Sequence, residues 1–381
     1  MTNPSNPKLR IAILFGGRSG EHEVSLMSAR SVLSVLDPAK YEVIQIGITK
    51  NGRWYTGSDA IGALEKGKTD ELEHVILSPD PSESGLYVIR NPALSGAEGT
   101  EYVKLTDIDV FFPVMHGTYS EDGAMQGLLE MADVAYVGAG VVGAAVGMDK
   151  GIFKDVMVAN DIPVVDTLVV LRREIEGDME AIIRQAEEIS DYPLFTKPAN
   201  LGSSVGVTKC NNRSDLQEGL IEAAAFDRRV LIQHGIKNVR EIEVSVLGND
   251  DPQASVPGEV EPSREFYSYE SKYVDGTSGL LIPAPLPEET AELIREVAVR
   301  AYKAIDCAGM ARVDFMIDKD TNAIYLNEVN TIPGFTQISM YPKLWEASGL
   351  PYAELIDRLI ELALERKIER DRTKREFRSD A

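Results

Sequence analysis

The stretch LRIAILFGGRSGEHEVSLMSA, residues 9–29, decides the fold class. Its first seven residues are nearly all apolar, as in a buried strand, and run straight into a glycine turn, GGRSGEHE, at 16–23. From Val24 the apolar positions Val24, Val32, Val35 and Leu36 recur at helical spacing. Working outward, YEVIQIGI (41–48) reads as a second strand, IDVFFPVM (108–115) as another and MQGLLEMA from Met125 as a following helix. Strand–turn–helix–strand order implies a parallel sheet with helices on its faces, and ligands then bind at the carboxyl ends of the strands. The loops at those ends are 16–23 and 116–123. The polar stretch 79–99, with Pro, Ser and Gly scattered through it, reads as a long loop or hairpin.

A second α/β unit begins near Met148. It carries a predicted helix over 178–189, a strand over 194–197, the tight loop LGSSVG and a further strand over 205–208. A third begins near Glu241 with EIEVSVLG, which alternates as a half-buried strand does, and ends in a helix from about Tyr352. The final ERKIERDRTKREFRSDA reads as a solvated helix end. At 381 residues the chain is long enough for two or three domains. Its 39 basic and 61 acidic side chains give a net charge of −22, which argues against nucleic-acid or anionic-membrane partners. The apolar run VAYVGAGVVGAAVGM (134–148) is too short for a membrane span, and MTNPSNPKLR has no signal-like apolar core. Two distant cysteines and four scattered histidines suggest neither a disulfide framework nor a zinc cluster, and point to a reducing cytoplasm.

Two formal motif matches fail on context. Gly62 to Thr69 fits G-x-x-x-x-G-K-[ST], but no buried strand precedes it and the loop is rich in helix formers. Asp318, Asp320 and Asn322 open like a calcium loop, but Ala323 replaces the required glycine and Val329 the bidentate glutamate. A turn between two strands explains them. What that turn joins is more informative. In MARVDFMI, Arg312 and Asp314 share a strand face, and in IYLNEVN so do Glu328 and Asn330. A hairpin in suitable register gathers all four. Two carboxylates and an amide oxygen suit Mg²⁺, with Arg312 available to stabilise an oxyanion. Upstream, Lys197 at a strand end followed by Gly202, Ser203, Ser204 and Gly206 has the composition of a phosphate cradle.

Taken together, these segments resemble the ATP-grasp superfamily, and within it the D-alanine–D-alanine ligase family. The resemblance rests on GGRSGEHEVSLMSA, MHGTYSEDGAMQG, MDK at 148–150, KPANLGSSVG, EFYSYESKY, and RVDFMI with NEVNTIPGFT, in order along nearly the whole chain. It implies a three-domain α/β architecture: a Rossmann-like N-terminal domain (1–147), a central subdomain with a glycine-rich flap (148–240) and a C-terminal subdomain with an ω-loop and metal site (241–381). It implies ATP-dependent joining of two D-alanines through an acyl phosphate for peptidoglycan precursor synthesis. D-lactate or D-serine as second substrate, or another acid and amine, are the alternatives.

By that resemblance Asp314, Glu328 and Asn330 hold two Mg²⁺ (or Mn²⁺), with a monovalent cation as a further candidate. Lys150, Lys197, Lys272, Ser203 and Ser204 contact phosphates, Phe266 packs on adenine, and Glu241 binds the ribose. Gln233 and Ile236 lie at the adenine, where Gln233 replaces a frequent carboxylate and can still accept from the adenine amino group. Glu23 meets the first substrate's ammonium, with His116 nearby. Arg312 and Gly334 form the oxyanion hole, and Ser339 and Met340 bind the second carboxylate. Glu23, Ser203 and Tyr273 close the ω-loop. His22 and Lys154 are expected at the surface, and Met27 and Met131 in the core. A cytoplasmic homodimer completes the expectation.

Overall fold

The structure is a computed structural model and describes residues 7–90, 100–261, 279–336 and 338–374. The first third runs β1 (Leu9–Gly16), α1 (His22–Val35), β2 (Tyr41–Ile48), β3 (Trp54–Thr56), α2 (Ala60–Glu65), β4 (Glu73–Leu77), β5 (Leu86–Arg90), β6 (Glu101–Thr106), β7 (Val110–Pro113), α3 (Ala124–Met131), α4 (Val141–Met148) and α5 (Lys150–Ala159). Seven strands form one sheet in the order β6-β5-β4-β3-β2-β1-β7. β1 pairs parallel with β2 and β7, as the strand–turn–helix pattern predicts. The remaining pairings are antiparallel, so the sheet is mixed. The stretch expected as loop or hairpin supplies β5. The P-loop look-alike starts inside α2, whose Gly62 is helical, after the short, half-buried β3.

The middle of the chain runs β8 (Thr167–Leu171), α6 (Arg172–Ile189), β9 (Leu194–Pro198), β10 (Thr208–Cys210), α7 (Arg213–Phe226) and β11 (Arg229–His234), with an antiparallel sheet ordered β10-β9-β11-β8. α6 starts earlier than predicted, and the expected start falls at a break, Asp178, whose φ is −150°. The strand predicted over 205–208 begins only at Thr208. Ser203, Ser204 and Gly206 all have positive φ, which no strand accommodates.

The last part runs β12 (Val239–Gly248), β13 (Gln253–Ala254), β14 (Gly258–Glu261), β15 (Gly279–Leu281), α8 (Glu288–Ala304), β16 (Gly309–Asp318), β17 (Ile324–Asn330), α9 (Met340–Ala347) and α10 (Tyr352–Asp371). Its sheet is ordered β15-β14-β12-β16-β17, with β13 on β12. The β16–β17 turn closes on itself, with Asp318 accepting from the Asp320 N–H and the Thr321 hydroxyl.

α10 leaves its own sheet and packs on the first one, where Leu355, Ile356, Leu359 and Ile360 join Ile11, Ile13, Val32 and Phe112 in one core. The charged end expected to be solvated is partly an anchor. Arg366 stacks 4.1 Å from the Tyr136 ring and donates to the Gly138 carbonyl, and Arg370 pairs with Glu130 and Asp133. Met27 and Met131 sit on outward helix faces, Met131 at 65% exposure, so neither belongs to the core. Conversely, His22 and Lys154 are buried. Among the described residues no helix is long and apolar enough to cross a membrane.

α4 packs so closely on the 306–307 loop that a Cβ on Gly143 falls 2.9 Å from the Asp306 carbonyl oxygen and 3.0 Å from the Cys307 Cα. Backbone cannot yield as a side chain can. Gly143→Ala gains about 1 kcal/mol of helix propensity but costs about 1–3 kcal/mol in overpacking, so it lowers the thermal midpoint, measured by calorimetry.

Candidate active site

A cavity of about 320 Å³ opens where the three sheets meet. Its floor is the β12–β16–β17 face. β16 and β17 pair with Arg312 opposite Asn330 and Asp314 opposite Glu328, the register that gathers all four side chains. A bulge follows at once, because Phe315 pairs with Leu326 and Asn327 is left over. The bulge lets Leu326 and Val329, three apart, both face the core while Glu328 and Asn330 face the cavity. Arg312 donates to both Asp314 oxygens at 2.7 Å, and its Nε lies 3.0 Å from Glu243 on β12. Asn330 Nδ2 donates to Asp314 at 2.9 Å.

Two carboxylates and one amide are the oxygen-rich set a divalent ion needs, although no group of three His, Cys, Asp or Glu among the described residues makes a closed cage. Mg²⁺ is ordinarily held this way, by one or two carboxylates with substrate phosphates and water completing the shell. The donor set therefore fits an ion that arrives with a nucleotide.

The loops after β1 and β7 meet this floor, as expected of strand carboxyl ends, but the acidic residue they present differs from the predicted one. Glu23 turns outward, its side chain 59% exposed and 2.5 Å from Lys50, whose hydrogen bond holds the carboxyl below the usual range. Glu21, 9% exposed, lines the cavity and accepts from the Ser203 hydroxyl of the glycine-rich loop. The reason is helical phase. α1 buries Ser25 and Ser28, four and seven residues after Glu21, whereas Glu23 shares the outward face with Met27. Gly202 lets the flap lie close on Glu21, since a Cβ there falls 2.8 Å from Oε1 and the carboxylate would have to shift.

Ser203 and Ser204, with φ of 52° and 58°, hold a conformation that is uncommon outside glycine. Beneath them Lys150 donates to the Leu201 carbonyl at 2.7 Å, and Lys197 Nζ lies 5.8 Å from the Phe195 ring centre. At the far end Gln233 is buried, with Nε2 lacking a hydrogen-bond partner among the described residues. An orphaned buried amide beside Ile236 and Glu241 suits the edge of a nucleobase.

His116, Lys150, Lys197, Ser203, Ser204, Gln233, Ile236, Glu241, Arg312, Asp314, Glu328, Asn330, Gly334, Ser339 and Met340 all line the cavity. Phe266, Lys272 and Tyr273 lie outside the described residues. Sequence reasoning missed Glu21, Glu121 and Glu243, which also line it. Burial and the Glu21 charge push the Glu121 carboxyl up to about 8, while the Gly117 N–H donates to it at 2.8 Å. Behind Lys150 and Lys197, Lys154 is 6% exposed, and burial, then Lys197 and Lys150, push its amine down to about 7.

A glycine-rich flap over a lysine-bearing strand, facing an acidic hairpin across one cleft, defines the ATP-grasp class of ligases. The D-ala D-ala ligase N-terminus family matches residues 10–139 and the C-terminus family residues 156–361. The D-alanine–D-alanine ligase of Heliobacterium modesticaldum is 49% identical over 96% of this chain and 97% of its own. That of Thermoanaerobacter sp. is 52% identical over 94% and 97%. Among solved structures, the D-alanine–D-alanine ligase from Coxiella burnetii aligns with a TM-score of 0.78 at 36% identity, covering 96% and 97%. A D-Ala:D-Ser ligase from Enterococcus faecalis aligns at 0.81 and 33%, covering 94% and 100%. The chain belongs to the D-alanine–D-alanine ligase family.

Glu21→Gln removes a charged partner from the cavity and lowers ligase turnover by about 10- to 100-fold, as expected for about 1.5–3 kcal/mol. Glu23→Gln leaves turnover within about twofold, which steady-state ADP release checks. Glu121 keeps its proton to about pH 8 when folded but loses it in the ordinary carboxylate range when unfolded. Its contribution to stability therefore falls as pH rises through that window. Glu121→Gln flattens the fall, read as urea midpoints at pH 5 and pH 8.5.

Proposed function

We propose that this chain joins two D-alanines into D-alanyl-D-alanine with ATP, through D-alanyl phosphate, and so supplies a peptidoglycan precursor. The observation that carries the reading is the single cavity in which Glu21, bound to the flap serine, faces the Arg312, Asp314, Glu328 and Asn330 hairpin. One end offers an anion for an amino acid's ammonium, and the other offers cations and oxygen donors for a triphosphate.

Lys150, Lys197 and the Ser203–Ser204 loop take the phosphates, Gln233 and Ile236 the adenine, and Glu241 the ribose hydroxyls. Asp314, Glu328 and Asn330 would hold two Mg²⁺ or Mn²⁺, which neutralise phosphate charge when bound. The first D-alanine, its ammonium on Glu21, presents its carboxylate to the γ-phosphorus. The carboxylate oxygen forms the new P–O bond as the bond to the bridging oxygen of ADP breaks. The second D-alanine binds through its carboxylate at the start of α9, where Ser339 and the Met340 backbone lie. Its neutral amine attacks the acyl carbon, Arg312 with the Gly334 N–H stabilises the oxyanion, and the C–O bond to phosphate then breaks as the nitrogen gives up a proton that the departing phosphate can carry. Exclusion of water matters because hydrolysis destroys an acyl phosphate. Tyr273, with Lys272 and Phe266, belongs to the covering ω-loop in this reading.

The three sheets support division into units 1–147, 148–240 and 241–381. The buried thiols Cys210 and Cys307 suit a reducing cytoplasm, and exposed Met131 and Val142 offer apolar surface for a homodimer. The test is product analysis with purified protein, ATP, Mg²⁺ and D-alanine, with and without D-lactate or D-serine. D-alanyl-D-alanine with matching ADP and phosphate is expected; a depsipeptide or D-alanyl-D-serine as main product overturns the second-substrate assignment. Asp314→Asn combined with Glu328→Gln abolishes turnover, and persistence of activity removes the metal assignment.

A further inference from the structure

His116 lines the cavity, yet both of its ring nitrogens are engaged elsewhere. Nε2 lies 2.9 Å from the Ser28 hydroxyl of α1, and Nδ1 lies 3.2 Å from the Ile332 carbonyl oxygen. A carbonyl can only accept, so Nδ1 carries the ring proton and Nε2 accepts from Ser28. The Ser28 oxygen in turn accepts the Phe335 N–H at 3.4 Å. The chain of bonds runs one way, from the Phe335 N–H through Ser28 and His116 to the Ile332 carbonyl. Both ends belong to one loop, and between them lie Pro333 and Gly334. Ser28 is 0% and His116 4% exposed, so water does not compete for either.

A second strut lies one helical turn along α1. The Ser31 hydroxyl is 3.2 Å from the Tyr352 hydroxyl, which donates to the Phe335 carbonyl at 3.0 Å. Two serines of the N-terminal unit thus hold a loop of the C-terminal unit. A protonated imidazole would present donors at both nitrogens and force the Ser28 hydroxyl proton to turn away from Nε2, which ends the one-way chain of bonds. Burial and Arg312 favour the neutral ring, while Glu21 is the charge that opposes them.

We propose that His116 is a positioning residue, a neutral bridge that with Ser28 fixes the Gly334 N–H against the N-terminal unit rather than touching the amino-acid substrate. The consequence for acyl transfer rests on the reading of Gly334 given above; the bridge itself does not.

The first test is ¹⁵N–¹H correlation of the imidazoles in the wild-type protein, with the His116 signals identified by their loss in His116→Gln. A neutral Nδ1–H ring, unchanged from pH 6 to pH 9, is expected. An Nε2–H tautomer, or titration within that range, overturns the bridge. The second test is kinetic. Ser28→Ala and His116→Gln each lower kcat for ligation by about 10- to 100-fold and leave affinity for a non-hydrolysable ATP analogue within about twofold. Because both act through one chain of bonds, the double variant is no slower than the worse single one. Losses that multiply, or a silent Ser28→Ala beside a damaged His116→Gln, overturn the proposal. Wild-type protein that binds ATP but does not ligate D-alanine fails the functional reading alone, since the tautomer measurement still decides the bridge.

Discussion

Asp314 stands opposite Glu328 because β16 and β17 pair with Arg312 against Asn330, and the chemistry of the cleft depends on that register. A slip of β17 by one residue would turn Glu328 and Asn330 into the core and bring apolar side chains to the cavity. Strand alternation alone would not hold it through the turn. The extra residue at Asn327 absorbs the mismatch, so a core-facing Leu326 and a core-facing Val329 are compatible with an acidic face between them. β12 then closes the arrangement from the other side, placing Glu243 beside Asp314 with Arg312 between the two carboxylates.

Elsewhere the cleft limits its own charge. Glu21 and Glu121 approach one loop, and burial with mutual repulsion keeps a proton on Glu121. Three lysines converge behind the flap, and the most enclosed, Lys154, is the one whose amine is driven toward neutrality. Such sites stay folded without ligand because unlike charges are paired and like charges are relieved by a proton gained or lost. Lys150 is restrained there by the Leu201 carbonyl, and Lys197 lies beside the Phe195 ring.

Much of this was legible in the sequence, and the failures have physical causes. The strands at 9–16 and 41–48, and the hairpin that carries the acidic face, follow from apolar runs and period-2 alternation. Glu21 and Glu23 flank His22 symmetrically, so composition cannot separate them. The buried serines at 25 and 28 carry the missing signal, because they fix which side of α1 faces inward. Lys154, expected at the surface, shares the buried face of α5 with Phe153 and Met157. The bulge at Asn327 leaves no mark in composition, although the spacing of Leu326 and Val329 violates strict alternation. The acidic hairpin could be recognised without it; the exact pairing could not.

The last long helix lies against the first sheet, and that has a meaning for synthesis. Leu355, Ile356, Leu359 and Ile360 complete a core whose other half, from Ile11 to Phe112, leaves the ribosome far earlier. At about 5–20 residues per second, the early sheet waits many seconds with an apolar face uncovered. The core of the first sheet is therefore closed only when α10 is made. A truncation that removes α10 takes away the Tyr352 strut and also strips the cover from the oldest part of the molecule, exposing a surface suited to aggregation or chaperone capture.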